Sequence, residues 1–293
     1  MRNSRREFLK SAACVGTAAL LPSGLMADAL SKPSRMRFGL CTYLWGKDWD
    51  VPTLIRNCEK TALLGVELRV EHAHKVEPNL PAAQRAEVKR QFADSRVTLV
   101  GCGTNEQYDF PDPERLKQSI ENTKAYIKLS HDCGGSGVKV KPNGFHAGIP
   151  HEKTIEQIGR SLNEVGRFAE DYGQQIRLEV HGTETQELPN IRAVVDVATD
   201  KNVTVCWNSN DEDLLGEGLE YNFNLVKDRF GDTVHVRELT IGDYPYQQLF
   251  NLFVGMKYKG WILLEARTQP DDLIAALTEQ RKVFDEMVGA ALG

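Results

Sequence analysis

The chain has 293 residues, with 36 Lys and Arg against 41 Asp and Glu and a formal charge of −5. Four basic and two acidic side chains fall in residues 1–29, so the remaining 264 residues carry −7. An acidic body without basic runs argues against nucleic acid and anionic membranes as partners, and that length suits one α/β barrel.

The chain opens with Ser4-Arg5-Arg6-Glu7-Phe8-Leu9-Lys10, an apolar run from Ser11 to Leu21, and Ala27-Asp28-Ala29. Paired arginines, a mildly apolar segment and small residues at a cleavage position predict a twin-arginine signal peptide over residues 1–29. The expected location is the periplasm, or export by the same route. The apolar run falls short of the ~20 residues that a bilayer span needs, so no membrane anchor is expected in the mature form. Residues 30–35 read as a Ser/Pro linker and 36–293 as a single domain. Five cysteines follow the signal, at positions 41, 58, 102, 133 and 206, without paired spacing. They read as buried free thiols.

From Met36 the chain alternates short apolar runs with amphipathic ones. The pattern predicts strands at 36–42, 65–70, 97–101, 137–141, 176–182, 203–208, 233–239 and 261–266. Helices are expected at 51–64, 81–94, 113–133, 151–172, 188–199, 212–230, 246–256 and 270–288. Eight alternating pairs demand parallel strands with crossovers, which close into a single (β/α)8 TIM barrel. Strand one runs into Thr42-Tyr43-Leu44-Trp45-Gly46-Lys47, not a Gly-rich phosphate turn, which speaks against an open doubly wound sheet.

Four of the last strands end on a possible ligand atom: Glu179, Asn208, His235 and Glu265, spaced 29, 27 and 30 residues apart. One strand plus a returning helix takes roughly 30 residues. The four side chains therefore converge on the C-terminal mouth of the barrel. Two carboxylates, an imidazole and an amide oxygen form a mainly hard donor set, suited to one divalent ion: Mn²⁺, Mg²⁺, Co²⁺ or Zn²⁺. Further mouth candidates are His72 and His74 beyond strand two, Lys141 at the end of strand four, His181 and Arg237. Lys139 and Lys141 alternate along an apolar strand, and a lysine turned into a barrel needs a carboxylate, a metal-free anion pocket or a substrate oxygen beside it. Trp45 is placed to stack on a sugar ring, as are Trp49 and Trp207, though packing explains Trp207 equally well.

Leu178-Glu179-x-His181, Asn208, Val234-His235-Val236-Arg237-Glu238 and Leu264-Glu265 resemble the xylose isomerase-like barrel superfamily of sugar isomerases and epimerases. That resemblance implies one metal held by Glu179, Asn208, His235 and Glu265, with both glutamates moving a proton between adjacent carbons of a sugar or keto-sugar. The family's strand-six Asp is Asn208 here, its usual His three residues later is Asp211, and Arg237-Glu238 stands where Lys-Asp is common. The implied activity is a metal-dependent isomerase or epimerase that passes through an enediolate. β-Elimination from a 3-keto-glycoside on the same site is the alternative chemistry, and a non-catalytic sugar-binding barrel the alternative class. Endonuclease IV-like relatives need a basic groove that the −7 charge does not provide. A homo-oligomer is left open.

Overall fold

The structure, a computed structural model, describes residues 36–293, so the expected signal peptide and linker lie outside the described residues. Its strands are β1 Arg37–Cys41, β2 Gly65–Arg69, β3 Thr98–Gln107, β4 Gly137–Lys141, β5 Gln175–Glu179, β6 Val203–Cys206, β7 Thr233–Val236 and β8 Trp261–Leu264. They alternate with α1 Val51–Thr61, α2 Ala82–Ala93, α3 Pro113–Cys133, α4 His151–Glu170, α5 Leu188–Val197, α6 Leu219–Val226, α7 Tyr246–Gly255 and α8 Leu273–Leu292. All ladder pairs are parallel, in the order β6-β5-β4-β3-β2-β1-β8-β7. The seam between β6 and β7 is stitched by His235 N–H donating to Trp207 O at 2.7 Å and Gly231 N–H donating to Val205 O at 3.1 Å. The result is the expected (β/α)8 barrel, nearly closed.

Local chemistry explains the element ends. Asp50 caps α1 by accepting from Thr53 N–H, and Asp112 caps α3 ahead of Pro113 at its first turn. Gly134 ends α3 in the left-handed conformation at φ 89°. The single helix expected over 212–230 is interrupted. A 3₁₀ turn at Asp211–Leu214 comes first, and Gly216 and Gly218, at φ 63° and 87°, break the chain before α6. The cysteines at 41, 58, 102, 133 and 206 are all buried free thiols.

β3 is the other departure, running six residues past the stop expected at Gly101. Glycine there is a matter of space inside the barrel, not of termination. A Cβ on Gly103 would lie 2.6 Å from Glu67 Oε1, and one on Gly137 would lie 2.6 Å from Arg177 Cζ. Arg177 is wholly buried near the base of the lumen. It donates to Val100 O at 3.0 Å and to Ser136 Oγ at 2.8 Å, and both bonds require the room that the glycine leaves.

Gly137→Ala should therefore overpack the Arg177 site and lower stability by about 1–3 kcal/mol. Chemical denaturation measures this, and an unchanged midpoint would show that Arg177 has somewhere else to go.

Candidate active site

The lumen is built on charge. Lys139 on β4 is in register with Arg177 on β5, so Glu179 lies two residues further up the neighbouring strand. Lys139 Nζ donates to Glu179 Oε2 at 2.7 Å and to Thr104 O at 3.2 Å, with both side chains of the pair buried. Glu179 Oε1 accepts from Asn208 Nδ2 at 3.1 Å and lies 3.3 Å from His235 Nδ1. A parallel bridge sets Asn208 beside His235 at the β6–β7 seam. Burial opposes ionisation of Glu179, but the Lys139 charge and the His235 bond hold its carboxyl well below the usual range.

The other face of His235 meets a residue that sequence reasoning passed over. Glu67, on β2 across the lumen, is wholly buried and lies 3.1 Å from His235 Nε2. It also accepts from the Cys41 thiol at 3.5 Å. Burial alone would raise the Glu67 carboxyl, yet facing His235, with Lys139 and Arg177 nearby, brings it down to about 2. The signal was present: Glu67 and Arg69 share one face of an apolar strand, the same alternation that marks Lys139 and Lys141.

Glu265 follows β8 directly. Among the described residues its one ion pair is with Arg267, Nη2–Oε2 4.0 Å. Glu179, His235 and Glu265 each offer a ligand atom within 4.8 Å of the others. Asn208 Oδ1 is buried with no hydrogen-bond partner. An unpaired carbonyl oxygen on a side chain bonded to Glu179 and set beside His235 is what a hard divalent ion completes, so this donor set fits one. Lys139 already neutralises one of the carboxylates, which makes the site less anionic than four acidic ligands would.

The remaining candidates separate. His181 and Arg237, with Arg267, line a cavity of about 640 Å³ at the mouth, whose outer rim carries Glu184, Glu187 and Asp211. Burial brings the His181 imidazole down to about 4, so it is neutral near pH 7. Arg237 Nη2 donates to Asn210 Oδ1 at 3.3 Å. Lys141 Nζ donates to Asn105 Oδ1 at 3.2 Å, and burial, then Lys139, brings its amine down to about 8. His72 is half-buried, with Nδ1 unpartnered, and burial lowers it to about 4.

Two expectations need correction. His74 is pinned by backbone, Nε2 bonding Arg69 O at 2.7 Å and Nδ1 accepting from Val76 N–H at 3.0 Å, which leaves no ring nitrogen for a sugar hydroxyl. Trp45 is 3 % exposed and donates from Nε1 to Thr268 O at 2.9 Å, so it packs in the wall and presents no stacking face. In both, the loop's need to satisfy buried polar groups and cover the core outweighs a role toward ligand. Trp207 is likewise buried, against Phe223 and Phe230.

The profile of the Xylose isomerase-like TIM barrel family matches residues 55–286. No curated protein matches the chain. Among solved structures, apo 3-keto-D-glucoside 4-epimerase from E. coli is similar with TM-score 0.73 at 14 % identity, over 86 % of this chain and 99 % of that one. D-allulose 3-epimerase from Methylomonas sp., in complex with D-allulose, is similar with TM-score 0.73 at 16 % identity, over 87 % and 98 %. The IolI protein with a bound zinc atom is similar with TM-score 0.72 at 13 % identity, over 87 % and 99 %. At these identities the likeness is one of fold.

Lys139→Met should strand a buried carboxylate and lower stability by about 3–5 kcal/mol, whereas the double variant with Glu179→Gln should recover much of the loss. Additive losses in a double-mutant cycle would show that the pair is not coupled.

Proposed function

The chain belongs to the xylose isomerase-like TIM barrel family, and from that premise we propose that it is a divalent-metal-dependent isomerase or epimerase of a keto-sugar. The observation that carries this reading is the meeting of Glu179, Asn208, His235 and Glu265 at one end of the lumen, with Asn208 Oδ1 left unpartnered. These four residues would hold the ion. When bound, a divalent ion supplies Lewis-acid polarisation of a carbonyl oxygen.

The protein's own groups handle the proton. Glu179 and Glu265 come from different strands, so they approach a substrate from different sides. Glu265 is the less encumbered, since its ion pair with Arg267 is long, at 4.0 Å. Lys139, Asn208 and His235 together occupy both oxygens of Glu179. Glu265 is thus the base that removes the proton next to the carbonyl, and Glu179 its counterpart on the opposite side. His181, neutral and at the cavity wall, and Arg237 are placed to bind hydroxyl oxygens. Glu67 orients His235 from behind, fixing which nitrogen faces the donor cluster. Similar folds are described as epimerases acting on 3-keto-D-glucoside and on D-allulose, which supports a keto-sugar substrate here.

Glu265→Gln keeps size but removes the base, so solvent-deuterium exchange into the carbon next to the carbonyl should fall by at least ~10²-fold while the fold survives. Near-normal exchange in a well-folded variant would overturn the assignment. Asn208→Asp adds a ligand charge at an oxygen that now has no partner, and calorimetric titration should show tighter Mn²⁺ binding. Unchanged affinity would place Asn208 outside the ligand set.

A further inference from the structure

The β2–β4 side of the mouth carries a group of cations that the proton-transfer reading does not use. Arg69 ends β2, Lys141 ends β4, and Asn105 lies between them on β3. Asn105 Oδ1 accepts from Arg69 Nη2 at 2.9 Å and from Lys141 Nζ at 3.2 Å. The two cations therefore stand no further apart than those two bonds allow. Neither is paired directly with a carboxylate among the described residues. Arg69 gives its other guanidinium bonds to Gly103 O and Thr104 O, and its Nε is buried without a partner in a side chain only 7 % exposed.

An amide oxygen holds a cation in place without neutralising it. Arg237 repeats the device on the other wall, resting on Asn210 Oδ1 with Nε buried and unpartnered. Two like charges sharing one neutral oxygen repel each other, and an incoming anion relieves that repulsion. The Glu179 and Glu265 carboxylates act on the charges of both Arg69 and Lys141, which ties this corner to the candidate ligands. Lys141 makes one bond with its three N–H groups, and Asn105 is exposed, so donors remain that solvent can reach.

We propose that the substrate is an acidic keto-sugar, with its carboxylate held at the corner formed by Arg69, Asn105 and Lys141 while the carbonyl end reaches Glu265. This rests on the keto-sugar reading above and names the substrate class. A carboxylate is favoured over a phosphate because few donors remain at the corner, Arg69 Nε and one Nη2 hydrogen beside the Lys141 amine, which suits two oxygens better than three.

Calorimetry on the purified protein in Mn²⁺-containing buffer at low salt decides it, with D-fructose, D-fructuronate and D-fructose 6-phosphate as probes. D-fructuronate should bind at least about tenfold more tightly than D-fructose, as a charge-assisted contact requires. In Lys141→Met that preference should shrink to less than about threefold. Equal affinities, no binding of either sugar, or a preference that survives Lys141→Met would overturn the proposal. Tighter binding of the 6-phosphate than of the uronate would also overturn it, giving the corner to a phosphate. Deuterium exchange on the same samples tests the reaction separately: the uronate preference without exchange leaves the anion corner standing and sinks the isomerase reading, and exchange without the preference does the reverse.

Discussion

The ion pair between Lys139 and Glu179 is the contact on which the interior of this barrel depends. Both side chains are out of water, at 0 % and 1 % exposure, and each would be costly there without the other. Their bond leaves Glu179 with one oxygen facing Lys139 and the other facing Asn208 and His235. Coulomb attraction in a buried lumen thereby sets the direction of two further side chains, Asn208 and His235. His235 carries the ordering across to Glu67 on the opposite wall.

Most barrels of this kind fill their interior with layers of branched aliphatic side chains. Here the inward positions of β2, β4, β5 and β7 hold Glu67, Lys139, Arg177, Glu179 and His235, all essentially buried. A polar lumen is stable only when nearly every group finds a partner, and the structure meets that condition by layering. Arg177 near the base binds backbone and hydroxyl oxygens, and Gly137 and Gly101 leave it room. The middle layer pairs acid with base. Of the four buried side-chain oxygens without a partner among the described residues, Glu67 Oε2 and Asn208 Oδ1 belong to this layer, and the second sits on a side chain bonded to Glu179.

The outer layer is different in kind. Lys141, Arg69 and Arg237 rest on amide oxygens instead of carboxylates, so their charge stays available at the mouth. The protein as a whole is acidic, yet these three cations stand together at the mouth of the barrel. A local potential of this sort steers and orients a small anion independently of the net charge.

The sequence by itself determined the barrel and the sector of its mouth where the candidate ligands gather. Alternating apolar runs admit one economical closure, and the spacing of Glu179, Asn208, His235 and Glu265 follows from one βα unit per residue. It reached Lys139 as a lysine in need of a carboxylate, but could not say which one, because the partner is set by the register of β4 on β5. Glu67 was hidden for a related reason: its partner His235 is 168 positions away and meets it only across the closed lumen. His74 and Trp45 were misread because their competing partners, Arg69 O at the end of β2 and Thr268 O in the loop after β8, are backbone atoms met only through loops whose path no periodicity encodes. Composition and period report which face of a strand a residue occupies. Which residues then touch across the barrel is decided by strand register, shear and closure, and those exist only in the folded chain.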